Sequence, residues 1–500
     1  MNIVSNFILK NLINNWIACI LELVMRSKQQ YTYIDLFAGA GGLSIGFGNH
    51  GFHLELANDI AEPALDTLKY NLNNTHPNTP NDRVILGDIK ELYQHLGTGD
   101  VDYELQGHMV VETNKEVELR KKAPSLKDNN SVKETLSAIN HIDVLAGGPP
   151  CQGFSMIGRA KKATLEERTK GFIDDPRNQL FKYFLKFAEK LSPKLVLIEN
   201  VKGLASASSY RDLIENSLSN TGKFGYVTDS KILNAKDFGL AQNRERIFFI
   251  GVRKDISDNH NITADDIFKN IVNEKRESLM LKDVIFDLPI INANPKPNNY
   301  KENAEYSFSS PNSFGKNISD IPYSKLVTKS GKSASYRSLI NTYNNKKIKP
   351  KHLYNHKSRY HNERDLFIYK HLVAGKYLND PVNKTALSRV TYGVFYDENG
   401  DKKVKGFGDK YFKLDPNSIS KTIIAHLETD GNSYVHPGDF PRSITPREAA
   451  RIQSFPDWYF FKGNTRNQFK QIGNAVPPIL AGVFAKTFKK TLDYLNEEKK

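Results

Sequence analysis

The sequence predicts an α/β fold with a doubly wound, mostly parallel sheet. Apolar strand-like runs alternate with helix-like segments from residue 31 to residue 253, which is the pattern of successive βαβ units. Several runs end in glycines or in an acidic residue, and ligands of open α/β sheets bind at that carboxyl edge. Because 500 residues are too many for one hydrophobic core, we expect further domains beyond the sheet.

The first strand-like run, residues 31–37, leads through a glycine-rich turn at residues 38–44 into a helix-like segment. This order of strand, glycine turn and helix is the nucleotide-binding arrangement, in which N–H groups at the helix start face an anion. The third glycine of the dinucleotide fingerprint is missing at its usual spacing. The turn therefore predicts a nucleotide-like ligand without identifying it.

Three of the predicted strands carry a carboxylate at or near their end. Asp59 and Asp88 close the second and third runs, and Glu199 lies near the end of residues 195–201. An aspartate at such a tip commonly accepts hydrogen bonds from ribose hydroxyls, whereas the alternative for Asp59 is a helix N-cap. For Glu199 the alternatives are a functional carboxylate and a structural ion pair, because acids are rarely buried without a partner.

A further strand-like run at residues 142–146 leads into a loop, residues 147–155, that carries Cys151. Two glycines let this backbone turn sharply, and two prolines stiffen the approach to the thiol. Cys151 is therefore a candidate nucleophile, and the alternative is a buried, inert cysteine. The only other cysteine is Cys19, which excludes a disulfide framework and fits a reducing cytosol.

Residues 1–29 form an apolar N-terminal extension that polar and charged residues interrupt. No stretch in it reaches the roughly 18 apolar residues of a membrane span, and it has no convincing signal-peptide pattern. We expect this extension to be dispensable and the protein to be cytoplasmic, with no membrane partner. Residues 91–140 are polar and are interpreted as an insertion before the strand that leads to Cys151.

The formal net charge of +14 favours a polyanionic partner. Between residues 321 and 374 there are twelve Lys or Arg against two Asp or Glu, interleaved with tyrosines. A solvated basic face is the usual interpretation of such a run. Its mixture with aromatic and amide side chains instead favours phosphate contacts and the reading of base edges in DNA.

Two further motifs follow the basic stretch. Residues 445–453 predict a helix with Thr445 as N-cap, Pro446 at the first position and Glu448 completing a capping box. Residues 471–478 lead into a final apolar helix.

Taken together, these segments resemble the C5-cytosine-specific DNA methyltransferases of the bacterial restriction-modification type, in that family's usual motif order. The matching segments are residues 35–42, 58–59, 87–89, 149–151, 199–201, 242–246, 447–455 and 471–478. The resemblance covers most of residues 31–253 and 410–485. It implies a Rossmann-like, S-adenosylmethionine-dependent methyltransferase core with a smaller, irregular target-recognition domain.

The resemblance also implies a division of the chain into domains. Residues 30–255 are expected to form the catalytic and cofactor-binding core, and residues 256–440 the target-recognition domain. Residues 441–500 are expected to carry the last motifs and to return to the core through a C-terminal helix, and residues 1–29 are the extension.

The cofactor that the resemblance implies is S-adenosyl-L-methionine, with its methionine carboxylate near the helix start. The residues expected to bind it are Phe37, Gly39, Gly41, Asp59, Ile60, Asp88, Ile89, Leu180 and Asn474. Asp59 is expected to hold the ribose, and Ile60 to pack on the adenine where the family often has an aromatic residue.

The resemblance implies four catalytic residues and no metal. Cys151, as thiolate, adds to C6 of cytosine, which makes C5 able to attack the methyl group. Glu199 acts at N3 of the ring. Arg246, with Arg244 nearby, stabilises the O2 side and helps to lower the pKa of the cysteine from about 8.5. The cytosine must leave the stacked duplex to reach these groups.

Sequence choice is expected to lie in the recognition domain. The clustered lysines Lys346, Lys347 and Lys349 predict phosphate contacts, and Arg337 or Arg359 is predicted to read a guanine.

The implied partner is double-stranded DNA, with a cognate restriction endonuclease acting separately if one exists, and we expect a monomer. One alternative is an RNA cytosine-5 methyltransferase built on the same core, although the Cys-Phe-Thr signature of the tRNA-directed relatives is missing from the long variable region. A second alternative is a non-catalytic DNA-binding relative, against which the intact set of Cys151, Glu199 and Arg246 speaks.

Overall fold

The structure is a computed structural model that describes residues 30–96, 123–150, 179–206, 208–294, 323, 331–344, 346–350, 352–390, 394–400, 402–404 and 410–497. Its largest sheet contains β1 (Thr32–Leu36), β2 (His53–Asp59), β3 (Val84–Leu86), β4 (Val144–Gly147), β5 (Leu195–Val201), β6 (Tyr226–Asn234) and β8 (Glu245–Arg253). The short strand β7 (Gln242–Asn243) directly precedes β8 and lies outside this sheet.

The strand order in this sheet is β3-β2-β1-β4-β5-β8-β6. Strands β3, β2, β1, β4 and β5 pair in parallel, whereas β8 runs antiparallel to both β5 and β6. The direction of chain progression reverses between β1 and β4, and the crevice outside the carboxyl ends of such strands is where these sheets bind ligands. The predicted doubly wound, mostly parallel sheet is confirmed.

The α-helices connect and cover these strands. In the first half they are α1 (Gly42–Asn49), α2 (Glu62–Thr75), α3 (Ile89–Gln94), α4 (Asn130–Ser137), α5 (Gln179–Leu191), α6 (Ser208–Ser219), α7 (Lys254–His260) and α8 (Ala264–Val272). Later they are α9 (Leu281–Ile285), α10 (Gly331–Ile340), α11 (Glu363–His371), α12 (Lys384–Leu387), α13 (Pro446–Ile452), α14 (Thr465–Asn474) and α15 (Pro478–Glu497).

Short elements fill the connections. The small strands are β9 (Thr342–Tyr343) paired with β10 (Lys346–Lys347), β11 (Val394–Tyr396) paired with β12 (Lys402–Val404), and β13 (Ser420–Lys421) paired with β7. The 3-10 helices are Asn81–Arg83, Lys202–Ser206, Ala235–Asp237, Pro381–Asn383, Ala425–Glu428 and Asn432–Tyr434.

The sheet is covered on both faces, because successive strand residues point to opposite sides. Tyr33 belongs to the hydrophobic cluster that contains side chains of α1, α2, α8 and α15. Its neighbour Ile34 belongs to the other cluster, with side chains of α3, α4, α5 and α6. This continuous burial of both faces is typical of parallel sheets.

Helices α1 and α15 pack closely on one face of the sheet. A Cβ placed at Gly46 would lie 2.4 Å from the Cβ of Ala481, so only glycine permits this approach. At the other end of α15, the Tyr31 hydroxyl donates to Asp493 Oδ1 at 2.7 Å and accepts from Asn496 Nδ2 at 2.9 Å. The last helix is therefore an integral part of the core that surrounds the large sheet.

The start of the predicted recognition domain belongs to the core as well. Helix α8 buries Ile267, Phe268 and Ile271 in the same cluster as α15, and Lys486 Nζ lies 2.7 Å from Glu274 Oε2. The buried side chains from Leu281 to Ile291 belong to another cluster, which also includes Ala40, Ile45 and Ala241. We therefore move the start of the proposed recognition domain from residue 256 to a point after Glu274.

Besides the two clusters that cover the faces of the sheet, a further cluster is built around α13 and α14 together with α9 and α10, and it is called the second hydrophobic cluster from here on. The predicted capping box is confirmed at the start of α13, where Thr445 and Glu448 exchange side-chain and backbone hydrogen bonds. Inside the cluster, the buried guanidinium of Arg451 lies 2.6 Å from Asp287 and 2.6 Å from Asp457. The two carboxylates hold the pKa of Arg451 above its ordinary value, although burial alone would lower it.

Among the described residues, no helix is both long enough and apolar enough to span a membrane.

Candidate active site

The glycine turn at the end of β1 has the backbone that a close ligand approach requires. Phe37, Gly39 and Gly41 all have positive φ, at 60°, 54° and 76°, a region that a non-glycine residue such as Phe37 seldom occupies. Helix α1 then begins at Gly42, and no side chain of the described residues caps it. Its first N–H groups and its dipole therefore favour an anionic group at this point.

Asp59, at the tip of β2, is tied to the glycine turn. Its carboxylate accepts the N–H of Gly39 at 2.8 Å and the N–H of Ala61 at 2.8 Å. Burial raises the pKa of Asp59, and these N–H groups counteract the rise. Helix α2 starts at Glu62 with Ala61 as its cap residue, so Asp59 is not the helix N-cap that was the alternative. Each carboxylate oxygen keeps acceptor capacity for a ligand hydroxyl.

The other predicted cofactor residues fall around the same edge. Asp88 follows β3 and caps α3 by accepting the N–H of Lys90 at 3.0 Å. Ile89 is buried in the cluster beneath α3 and α5. Ile60 is half-buried directly after Asp59. At Asp88, then, a structural role accompanies the predicted contact with the cofactor.

Two more predicted residues come from distant parts of the chain. Leu180, on α5, packs against the same cluster as Phe37. Asn474 is exposed at the end of α14. The segment after Asn474 approaches the start of α1, where a Cβ on Gly42 would lie 2.2 Å from the carbonyl oxygen of Val476. The fold therefore brings Asn474 next to the glycine turn.

Asp35 is a residue of this edge that the sequence reasoning missed. Its carboxyl is fully buried in β1 just before the turn, and the Ser44 hydroxyl donates to Oδ2 at 2.7 Å. Oδ1 has no hydrogen-bond partner among the described residues. Burial raises the pKa of Asp35 to about 7. The available signal was an acid inside an apolar strand directly before the glycine turn.

Glu199 and Arg246 are brought together on adjacent strands. Arg246 Nε lies 3.1 Å from Glu199 Oε1, and the two side chains are only 16% and 12% exposed. The antiparallel pairing of β5 with β8 sets this arrangement, because it places Arg246 opposite Val201. Val201 and Glu199 are two residues apart on β5 and lie on the same face of the sheet, so Arg246 is a diagonal neighbour of Glu199. The ion pair foreseen as the structural alternative for Glu199 thus exists, and its partner is the other residue predicted to act on the base.

The base of the cysteine loop is fixed to the same strand. Asn200 Nδ2 donates to the carbonyl of Pro149 at 3.1 Å, and a Cβ on Gly148 would lie 3.2 Å from Glu199 Oε2. Cys151 itself lies outside the described residues and follows Pro150 in the chain. The sequence reasoning did not single out this contact of Asn200, although Asn200 lies in the motif that contains Glu199.

Arg244 has a different environment from the one predicted. It is buried, and its guanidinium donates to three backbone carbonyl oxygens: those of Ile423 at 2.8 Å, Gly473 at 3.2 Å and Ala475 at 3.0 Å. Both terminal nitrogens are engaged by protein groups. These contacts hold parts of the fold together, and they differ from the contact with the O2 side of the base that was predicted for Arg244.

The two arginines predicted to read guanine are also internal. Arg337 pairs with the buried carboxylate of Asp287. Arg359 is buried, donates to the carbonyl of Leu427 and stacks over the ring of Phe469 at 4.1 Å. Both side chains are therefore held by protein groups, and the reading of a guanine by either arginine stays a prediction.

The predicted phosphate-binding lysines, Lys346, Lys347 and Lys349, are exposed on and beside β10. This hairpin is anchored at the far end of the core helices, where the Tyr343 hydroxyl donates to the carbonyl of Thr75. A Cβ on Gly48, in the last turn of α1, would also meet the Tyr343 hydroxyl, and at 1.5 Å per residue the eight-residue helix α1 places that turn about 12 Å from the glycine turn. The phosphate contact of these lysines stays a prediction.

Comparisons with known proteins show the family to which the chain belongs. A family model of C-5 cytosine-specific DNA methylases matches residues 31–105 and 112–490. The type II methyltransferase M.AgeI of Thalassovita gelatinovora is 29% identical over 91% of this chain and 98% of its own length. The type II methyltransferase M.Bpa9945I of Bacillus paralicheniformis is 27% identical over 92% and 99%.

A solved structure shows the same fold. It is described as a DNA modification methyltransferase encoded within an E. coli prophage, and it covers 93% of this chain and 100% of its own. The TM-score is 0.53 at 25% identity. The chain belongs to the C-5 cytosine-specific DNA methylase family, as the resemblance indicated, and it is a DNA (cytosine-5-)-methyltransferase.

Proposed function

We propose that the protein transfers a methyl group from S-adenosylmethionine to C5 of a cytosine in a specific double-stranded DNA sequence. The reaction proceeds through a covalent bond between Cys151 Sγ and C6 of the base. The observation that carries this proposal is the Glu199–Arg246 pair, which the Asn200–Pro149 hydrogen bond joins to the base of the cysteine loop.

The residues around the glycine turn fit the cofactor. The uncapped start of α1 suits a carboxylate. The carboxylate of Asp59, held by two N–H groups, has capacity left for ribose hydroxyls. When bound, S-adenosylmethionine supplies a methyl group on a positively charged sulfur. The protein's own part is to hold that group beside the base and to exclude competing nucleophiles.

Cytosine C5 is too weak a nucleophile to take the methyl group unaided. The Cys151 thiolate adds to C6, and the C5–C6 π electrons become available at C5. C5 then forms the bond to the methyl carbon while the bond between that carbon and the sulfur breaks, and the electron pair of the broken bond stays on the sulfur, which becomes neutral. A base removes the C5 proton, the electron pair restores the C5–C6 double bond, and the Cys151 thiolate leaves. Glu199 at N3 and Arg246 at O2 stabilise the charge that the addition places in the ring.

None of these contacts can form with a cytosine stacked inside a duplex, so the target base is flipped out of the helix. The net charge of +14 supports binding to the DNA backbone. The second hydrophobic cluster, from Leu281 onward, is proposed to carry the target-recognition surface.

Methylation of host DNA tests the function directly. The full chain is expressed in a bacterium without cytosine-5 methylation, and its genomic DNA is sequenced after bisulfite treatment. We expect protected cytosines at one recurrent short sequence, and none in cells that carry the empty vector. Unprotected DNA throughout, or 5-methylcytosine found only in RNA, would exclude this function.

Removing the Asp59 carboxylate should weaken the binding of S-adenosylmethionine. A charged acceptor contributes roughly 1.5–3 kcal/mol, so we expect Asp59→Ala to raise Kd about 10-fold or more. Methyl transfer at saturating cofactor should fall less. Isothermal titration measures the affinity, and Glu62→Ala, an exposed acid three residues later, is the matched control. Unchanged affinity combined with a large loss of rate would contradict this role.

Sequence choice should transfer with the proposed recognition domain. Residues 277–419, which leave out the last segment of the proposed recognition domain, are grafted onto the core of a related methyltransferase, so that α7, α8 and β13 of the recipient stay in place. We expect the chimera to methylate the sequence of this chain, as mapped by bisulfite sequencing. An active chimera that keeps the recipient's own sequence preference would show that another part of the chain recognises the DNA sequence.

A further inference from the structure

Gln242 and Arg244 lie directly before the strand that carries Arg246. Gln242 belongs to β7, Arg244 falls between β7 and β8, and Arg246 is the second residue of β8. Gln242 and Arg244 are both buried, whereas the Arg246 side chain is partly exposed beside Glu199. The contacts that hold the side chains of Gln242 and Arg244 therefore also fix the position at which Arg246 enters β8.

The two buried side chains grip the backbone of Ile423 from both sides. Gln242 Oε1 accepts the Ile423 N–H at 2.8 Å, and Arg244 Nη1 donates to the Ile423 carbonyl at 2.8 Å. Beside this contact β13 pairs in parallel with β7. The Thr422 hydroxyl also donates to the Asn243 carbonyl at 2.6 Å. Hydrogen bonds thus connect the end of the proposed recognition domain to the residues that lead into β8, the strand that carries Arg246.

Gln242 and Arg244 also hold the segment around Asn474, which is predicted to bind the cofactor. Arg244 donates to the carbonyls of Gly473 and Ala475, on either side of Asn474. Gln242 Nε2 donates to Gln453 Oε1 at 2.9 Å, and Gln453 Nε2 donates to the Ile472 carbonyl at 2.7 Å. Three parts of the molecule therefore meet at Arg244: the strand β8 with Arg246, the end of the proposed recognition domain, and the segment that carries Asn474.

We propose that Arg244 is a positioning residue for methyl transfer. Together with Gln242 it forms a junction with Ile423, Gly473 and Ala475 that fixes Arg246 relative to the bound DNA and to the cofactor. The inference rests on the proposed function and adds to it a residue that acts without touching the base. Misplacement of reacting groups by about 1 Å can cost on the order of 100-fold in rate, so loosening the junction should slow chemistry more than it weakens DNA binding.

Lysine at this position would keep the charge but lose the junction. An arginine directs donors from two terminal nitrogens toward separate carbonyls, whereas a lysine offers three donors on a single atom. It cannot serve Ile423, Gly473 and Ala475 in the same way. Arg244→Lys therefore tests geometry without removing a positive charge from the site.

The matched control is Arg447→Lys. Arg447 is equally buried and donates to the carbonyls of Tyr354, Pro456 and Tyr459, but it makes its contacts inside the second cluster and not with β7. Both variants are expected to be less stable than the wild type. Only the one at Arg244 should change the reaction itself.

The measurement is the single-turnover rate of methyl transfer at saturating cofactor and DNA, per active site. Active sites are counted by exhaustive covalent trapping on a duplex with 5-fluorocytosine at the target. We expect Arg244→Lys to lower this rate about 10-fold or more, with the Kd for target DNA within about threefold of wild type. Arg447→Lys should keep the wild-type rate per trapped site.

A rate per trapped site for Arg244→Lys within about twofold of wild type would overturn the inference, as would equal losses of rate and DNA affinity. If that variant does not fold, the isosteric Thr422→Val removes one exposed hydrogen bond of the same connection. It should slow transfer about threefold at unchanged Kd, and an unchanged rate would overturn the inference. A wild-type protein that methylates no cytosine would overturn the proposed function, and this inference with it.

Discussion

Replacing Cys151 with serine should abolish methyl transfer and leave DNA binding largely intact. A serine hydroxyl has the right size, but it is not deprotonated at neutral pH and cannot supply the nucleophile that attacks C6. We expect less than about 1% of wild-type turnover, with the Kd for target DNA changed by no more than about threefold. Transfer of labelled methyl groups and fluorescence anisotropy measure the two quantities.

The second cysteine provides the control for this prediction. Cys19→Ser makes the same chemical change in the N-terminal extension and should be as active as the wild type. A 5-fluorocytosine duplex gives an independent readout, because fluorine at C5 cannot leave as a proton does. The wild type and Cys19→Ser should form a covalent adduct, and Cys151→Ser should not. Turnover of more than a few per cent in Cys151→Ser would remove Cys151 as the nucleophile.

Glu199→Gln should slow methyl transfer by at least about 100-fold, the scale of a positioned acid or base. Glutamine keeps the shape of the side chain but removes the charge that faces Arg246 Nε at 3.1 Å. It also cannot share a proton with N3 of the ring as a carboxyl does. Cofactor affinity should barely change, since Glu199 lies on β5 and Asp59, which is proposed to bind the ribose, lies on β2. Single-turnover kinetics and calorimetry separate the two effects.

Glu245→Gln is the matched control for Glu199→Gln. Glu245 is the neighbour of Arg246 and pairs with Lys202 at 2.7 Å, but both side chains are exposed. Such surface pairs contribute at most about 1 kcal/mol, so this variant should keep nearly full activity. Weakened cofactor binding with a normal rate in Glu199→Gln would mean that the roles of Glu199 and Asp59 are exchanged.

The sequence predicted the parts of the fold that depend on local signals. Continuous apolar runs ending in glycine or acid located β1, β2 and β5, and three residues sufficed to predict the capping box of Thr445. Helix α8 shows why the rest was harder. Its apolar face is visible in the sequence, but periodicity does not reveal which cluster that face will join, and the partner helix α15 begins more than two hundred residues later.

The arginines illustrate a second limit. Composition indicates a basic region, but a guanidinium that pairs with backbone carbonyls looks the same in sequence as one that faces DNA. The partners of Arg359 and Arg244 lie 68 and up to 231 residues away. Only the tertiary fold shows that these side chains are internal. Glu199 and Arg246 belong to two separate motifs, and the pairing of the adjacent strands β5 and β8 brings these motifs together.

The contact of Tyr31 with Asp493 and Asn496 has a consequence for engineering. The beginning of β1 and the end of α15 lie side by side, so a short linker between them would disturb neither the sheet nor the packing of Gly46 against Ala481. Circular permutation tolerates such an arrangement, provided that the new ends open in an exposed loop. The covalent order of the segments is therefore separable from their spatial order. Fusion partners could be attached at new chain ends within the proposed recognition domain, while the glycine turn and the residues around it stay intact.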